Sequence, residues 1–181
     1  MTKRQIIPPA AMAVSIEAAR RAARASGTSL DAELEDKVRG ITEEVEHKIG
    51  RALITQTWEL TLDFFPAAGA IKLPMARLQQ IEHVKFHAVD NLLRTLDPQD
   101  YLVDVKSEPG WILPATGRTW PATQQRMNAV EVQYVCGYGP NEADVPPAIK
   151  DYILGVLENH YYPNPNAHHL ARRLDRFVVY G

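Results

Sequence analysis

Six histidines and one cysteine are the residues of this chain whose types most often carry metal-binding or nucleophilic chemistry. His83 and His87 lie four apart in a stretch that alternates like a strand. That sets them roughly 13 Å apart along it, too far to share one tetrahedral ion. His168 and His169 are neighbours on a predicted helix and point to different sides, and His47 lies on the polar flank of another. Cys136 with a histidine would suggest a thiol nucleophile, but it closes an alternating strand, where a small buried thiol is the usual finding. No phosphate-binding loop, dinucleotide loop, nucleophile elbow or His-Glu-x-x-His pattern occurs. Gly137-Tyr-Gly139 is explained by a turn leaving a strand. The expectation is a chain with no catalytic residue, no metal and no cofactor.

Arginines and aromatics offer binding chemistry instead. Arg20, Arg21 and Arg24 form a basic face on a short helix, and Arg172, Arg173 and Arg176 form another near the end. Guanidinium forks suit phosphates and carboxylates, although a solvated surface is the plainer reading of the first trio. Trp58, Trp111, Trp120 and Tyr134 could stack the bases of a single strand. No basic residues interleave among them, which favours packing in a core and in loops.

The elements that must position these residues follow from periodicity. Leu30, Leu34, Val38, Ile41, Val45 and Ile49 recur at steps of four and three, one face of a helix. Thr28 with Asp31 resembles a capping pair, and Gly50 stands where a C-terminal glycine belongs. The period then changes. Ile54, Trp58, Leu60, Leu62 and Phe64 share one parity and Thr55, Thr57, Glu59, Thr61 and Asp63 the other, which predicts a half-buried strand over 54–64. Ahead of this helix, residues 1–11 read as a loose lead, and Ser15 caps a short helix over 16–25. Behind the strand, short alternating runs at 70–73, 78–89, 101–105, 111–113 and 129–136, with 92–96 as strand or helical turn, predict an antiparallel sheet. Val145-Pro146-Pro147 starts a helix with Ile149, Ile153, Val156 and Leu157 on its apolar face.

The predicted fold is therefore α+β: a helical lobe from both chain ends (12–50 and 145–162) with a central antiparallel β insertion (51–139). Pro163-Asn-Pro-Asn166 breaks the last helix, and a tail over 163–181 follows, amphipathic from Ala167 to Tyr180. Leu170, Leu174 and Phe177 line one side of it. That is the form of a partner-docking element, while a terminal helix folded on its own domain fits the physics equally well.

At 181 residues the chain fits one domain and can bury roughly 70% of its unfolded surface. Hydrophobic (45%) and charged (23%) fractions are ordinary for a soluble protein. A net charge of −2 gives no general attraction to nucleic acid or to an acidic membrane. A single cysteine excludes an internal disulfide. No apolar run approaches the roughly 20 residues of a membrane span, and no apolar stretch follows Lys3 and Arg4 as a secretion signal would require.

A series of short stretches carries a resemblance. Ser15-Ile-Glu-Ala-Ala19, Gly50-Arg-Ala-Leu-Ile-Thr-Gln-Thr-Trp58, Leu62-Asp-Phe-Phe-Pro66 and Ile71-Lys-Leu-Pro74 come in this order. Tyr101-Leu-Val-Asp104, Trp120-Pro121, Val130-Glu-Val-Gln-Tyr134, Gly137-Tyr-Gly139 and Val145-Pro146-Pro147-Ala-Ile-Lys150 follow. Together they resemble the head–tail connector, or adaptor, proteins of tailed phages, the gp6-like and phiE125 gp8-like family. The resemblance implies a structural, non-enzymatic protein of a phage, prophage or gene transfer agent, made in the bacterial host cytoplasm and carried in the particle neck. It implies a homo-oligomeric, twelve-fold ring under the portal protein that extends the DNA channel and meets the next neck, stopper or tail protein. DNA would pass without sequence-specific binding, and no membrane is involved. Leu170, Arg172, Arg173, Leu174, Arg176, Phe177 and Tyr180 are the expected portal-docking residues. The alternative is a DNA-packaging accessory factor that binds nucleic acid through its arginine clusters.

Overall fold

A computed structural model describes residues 1–67, 69–165 and 172–179. The fold is α+β, with three helices and two antiparallel sheets. The chain divides into two compact units: Met1–Pro8 with Gln56–Gly137, and Pro9–Thr55 with the described residues from Tyr138 to Val179.

The first unit is β. A five-stranded sheet runs in the order β1 (Thr2–Ile7), β2 (Gln56–Leu62), β8 (Val130–Cys136), β4 (Leu78–His87), β5 (Leu93–Thr95). A three-stranded sheet runs β3 (Ile71–Leu73), β7 (Gly110–Pro114), β6 (Tyr101–Asp104). Register sets the inner face. Leu60 stands opposite Val132, which stands opposite Val84, and Leu62 opposite Val130, which stands opposite Phe86. Because side chains alternate along a strand, these rows share one face, and Leu60, Val84, Val130 and Val132 are fully buried. Gly110 lies so close to Leu78 that a Cβ on it would meet the leucine Cβ at 2.6 Å. The Tyr134 hydroxyl, at the end of a fully buried ring, donates to the Pro74 carbonyl at 2.6 Å.

Three expectations change here. Residues 2–7 are not a loose lead but β1, an edge strand paired antiparallel to β2. Every residue of it is exposed, so its burial pattern offers no apolar period to read. Ile54 lies outside β2, which begins at Gln56, and Phe64 is 68% exposed beyond its end rather than on the buried face. Since β2 lies between β1 and β8, Gln56, Thr57 and Glu59 are also buried, and Glu59 accepts from the Arg4 guanidinium at 2.8 Å.

The second unit is helical. α1 (Ile16–Ala22) opens on Ser15, whose hydroxyl accepts from the Ala18 amide. α2 (Asp31–Ile49) begins at Asp31 without a side-chain cap, so Thr28 is not the N-cap. Asp31 instead pairs with Arg20 of α1, two bonds between forked partners. α2 ends on Gly50 at φ 68°, a left-handed conformation that glycine adopts without a Cβ clash. α3 (Pro147–Tyr161) follows a 3₁₀ turn at Glu142–Asp144. Leu34, Val38, Val45 and Ile49 of α2 meet Ile149, Ile153 and Leu157 of α3 in one buried cluster with Val14 and Ala19.

Candidate functional site

Among the described residues the histidines lie on β4, α2 and α3. His83 on β4 bonds Glu131 on β8 at 2.8 Å, a cross-strand contact within one sheet. His160 packs edge-on against Tyr161, and His47 is exposed on α2. His168 and His169 lie outside the described residues. Among the described residues no three His, Cys, Asp or Glu side chains gather as a metal site would need. Cys136 is fully buried at the end of β8, opposite Gln56 on one side and Leu78 on the other.

Nor do the aromatics make a platform. Tyr134 is fully buried, and its neighbour across the strands is Trp58, over which Lys3 sits at 5.4 Å. Trp120 stacks flat on Phe65 at 4.8 Å, and Phe65 meets Phe86 edge-on at 5.7 Å. These contacts build the β unit rather than a stacking surface.

The structure does gather residues around the C-terminal tail. Leu174 is fully buried among the apolar side chains of α2 and α3, and Phe177 and Val178 pack against that cluster. A 3₁₀ turn at Asp175–Phe177 presents its last carbonyl to Arg51, whose guanidinium Nε donates to Phe177 O. The Val179 amide bonds the Ile49 carbonyl at 2.9 Å, which satisfies a carbonyl in the last turn of α2. Val179 also covers Gly50, where a Cβ would lie 3.6 Å from the valine Cβ. Just beyond Gly50, the Leu53 amide donates to the buried Glu46 carboxylate at 2.6 Å.

So Leu174 and Phe177, expected on a partner, sit in their own subunit. Arg172, Arg173 and Arg176 are exposed on the outer side of the same segment. Leu170 and Tyr180 lie outside the described residues. Glu46 and Arg51 went unnoticed in the sequence. The available signal was position: Glu46 falls beside Val45 on the buried flank of α2, and Arg51 directly follows the glycine that ends it.

Arg173 also lines a cleft of about 530 Å³ with Arg24, Glu158, Asn159, Tyr162 and Asn164. Arg24 lies over the Tyr162 ring at 4.3 Å and 3.6 Å from Glu158. Arg20 is engaged by Asp31, and the bond from the guanidinium holds that carboxyl below its usual range. The Tyr161 hydroxyl donates to Glu33 at 2.7 Å, which raises its pKa. The cleft itself offers two guanidinium forks, the carboxylates of Asp151 and Glu158, two side-chain amides and Tyr162, groups suited to recognition.

No protein-family model and no curated protein matches the chain. Among solved structures, a chain of the neck of an empty gene transfer agent (GTA) particle, computed with C6 symmetry, superposes with a TM-score of 0.84 at 15% identity. The match covers 100% of this chain and 97% of that one. The two chains share a fold. A chain of the virion of a native GTA particle (TM-score 0.82, 16% identity) and one of a native GTA neck computed with C12 symmetry (0.75, 16%) match over the same shares. The likeness runs through both units, so the β part and the helical part recur together in the GTA chains.

Proposed function

We propose that this protein is a structural head–tail connector of a phage-like particle. The observation that carries this reading is the full-length likeness to chains of GTA necks and virions. The ordered stretches that resemble gp6-like connectors point the same way from the sequence, and membership of that family is part of the proposal. In this reading the protein forms a ring under the portal, continues the DNA channel and offers a platform to the next neck or tail protein. C6 and C12 symmetry of the matched particles supports a closed ring, and twelve copies satisfy both. A net charge of −2 suits a channel through which DNA slides, since strong phosphate pairing would hold it.

Further support comes from surfaces that a solitary protein rarely leaves bare. Leu92 and Leu93 are each 59% exposed at the β5 edge, and Leu102 pairs across to Leu113 on the outer side of β6 and β7. The tail arginines Arg172 and Arg176, with Leu170 and Tyr180 beside them in sequence, are the portal-facing residues of the proposal. Leu174 and Phe177 hold the segment in place from below.

Imaging of particles from a host that carries this gene, with the protein tagged, tests the reading. Density for a ring of this fold between head and tail is the expected result. Particles whose necks lack it would overturn the proposal. An Arg172→Glu, Arg176→Glu protein should fold normally and fail to bind portal-bearing heads. Tight binding of the wild type to free duplex DNA, lost in that variant, would favour the packaging-factor alternative.

A further inference from the structure

The outward face of α2 carries a pattern that its own chain does not explain. Ala32, Asp36, Gly40, Glu43 and His47 follow one another at steps of four and three, and all are exposed, with Glu33 and Glu44 alongside. The helix holds seven carboxylates against three lysines and arginines. Asp36, Glu43 and Glu44 have no ion pair among the described residues. Gly40 stands in the middle of this line. A glycine inside a helix is weaker than alanine because it loses more backbone freedom on folding. A Cβ built on Gly40 meets nothing within 4 Å, so no neighbour in this chain requires its absence. A surface that approaches from outside would require it.

The same unit carries the opposite charge elsewhere. Arg21 and Arg173 are exposed and unpaired among the described residues. Arg173 lines a cleft with Asp151 and with Arg24, which already lies 3.6 Å from Glu158. Guanidinium forks match carboxylates in geometry as well as in charge. Two different complementary surfaces on one chain are the requirement for a heterologous contact, the kind that closes into a ring.

We propose that the α2 face centred on Gly40 is the docking surface for a second copy of this chain, which presents Arg21 and Arg173 to Asp36, Glu43 and Glu44. The inference rests on the ring-forming connector reading and names where adjacent copies meet. Gly40 lets the neighbour's backbone come close, and the carboxylates around it set the register.

Two charge-reversed proteins test this together. Asp36→Lys with Glu43→Lys makes the α2 face basic, and Arg21→Glu with Arg173→Glu makes the opposing patch acidic. Sedimentation of concentrated wild-type protein should show oligomers that dissociate as salt is raised. Each reversed protein alone should associate at least about tenfold more weakly, and an equal mixture should recover, because alternating copies restore every contact. Gly40→Leu should melt at or above the wild-type temperature and yet fail to associate. A folded Gly40→Leu protein that assembles like wild type would overturn the proposal, as would a mixture that stays dissociated or a wild type that remains monomeric. A wild-type monomer that is still found in particle necks would remove this inference and leave the connector reading standing. Assembly through this face by a protein absent from necks would do the reverse.

Discussion

Asp31 joins two helices through a bond that a change of pH can remove. Its carboxyl is held below the usual range by the hydrogen bond from Arg20. A carboxyl whose folded pKa is depressed contributes stability above its unfolded pKa, and that contribution is lost as pH falls through the folded value. The wild type should therefore lose melting temperature below about pH 4, and Asp31→Asn should flatten part of that slope while melting slightly lower at neutral pH. Equal acid slopes for the two proteins would show that the pair adds nothing. Cys136 makes a second point at this scale. Its thiol is fully buried, so a thiol reagent should label it only as the protein unfolds. Cys136→Ala should cost about 1–3 kcal/mol through the small cavity it leaves. Rapid labelling of the native protein would show that the β8 end opens.

Elements depend on single residues at their ends. Gly50 closes α2 at φ 68° under Val179. Gly50→Ala should destabilise by roughly 1–2 kcal/mol, the cost of a left-handed L residue, and chemical denaturation can measure it. The edge strand β1 protects β2. Removal of Met1–Ile7 would leave β2 at an open edge, with Glu59 deprived of Arg4. The shortened protein should aggregate on warming, where the full chain melts without precipitation.

On the scale of the whole molecule, the tail is the deciding segment. Truncation after Pro165 deletes Leu174 from the helical core together with the bonds to Arg51 and Ile49. Removal of one fully buried leucine costs about 2–5 kcal/mol, so the truncated protein should lose several degrees of melting temperature. A truncated protein with unchanged melting would mean that the tail contributes nothing in solution and is held only by a partner. The charge reversal at Arg172 and Arg176 avoids this loss of stability and therefore reads partner binding alone. Both units contain stretches from distant parts of the chain. One cooperative calorimetric transition is expected, and two separated transitions would show that the units fold independently.

Local periodicity alone identified α2, α3, β2, β3, β4, β6, β7 and β8, along with the serine cap of α1 and the glycine end of α2. Each of these signals lies in the spacing of neighbours: a burial stripe, an alternation, a residue suited to one backbone conformation. The α+β class follows from their order. What lay beyond the sequence depends on residues far apart in the chain. β1 exists because β2 offers it a ladder of hydrogen bonds, which a run of exposed side chains does not announce. Asp31 reads as the partner of Thr28 in a capping pair until Arg20, on another helix, takes its carboxylate. Leu174 and Phe177 formed a stripe that needed a cover, and periodicity cannot name the cover. The tertiary structure supplied it from α2 and α3, because burial there also satisfies Arg51 and the last turn of α2, which left the arginines, and not the leucine, facing outward.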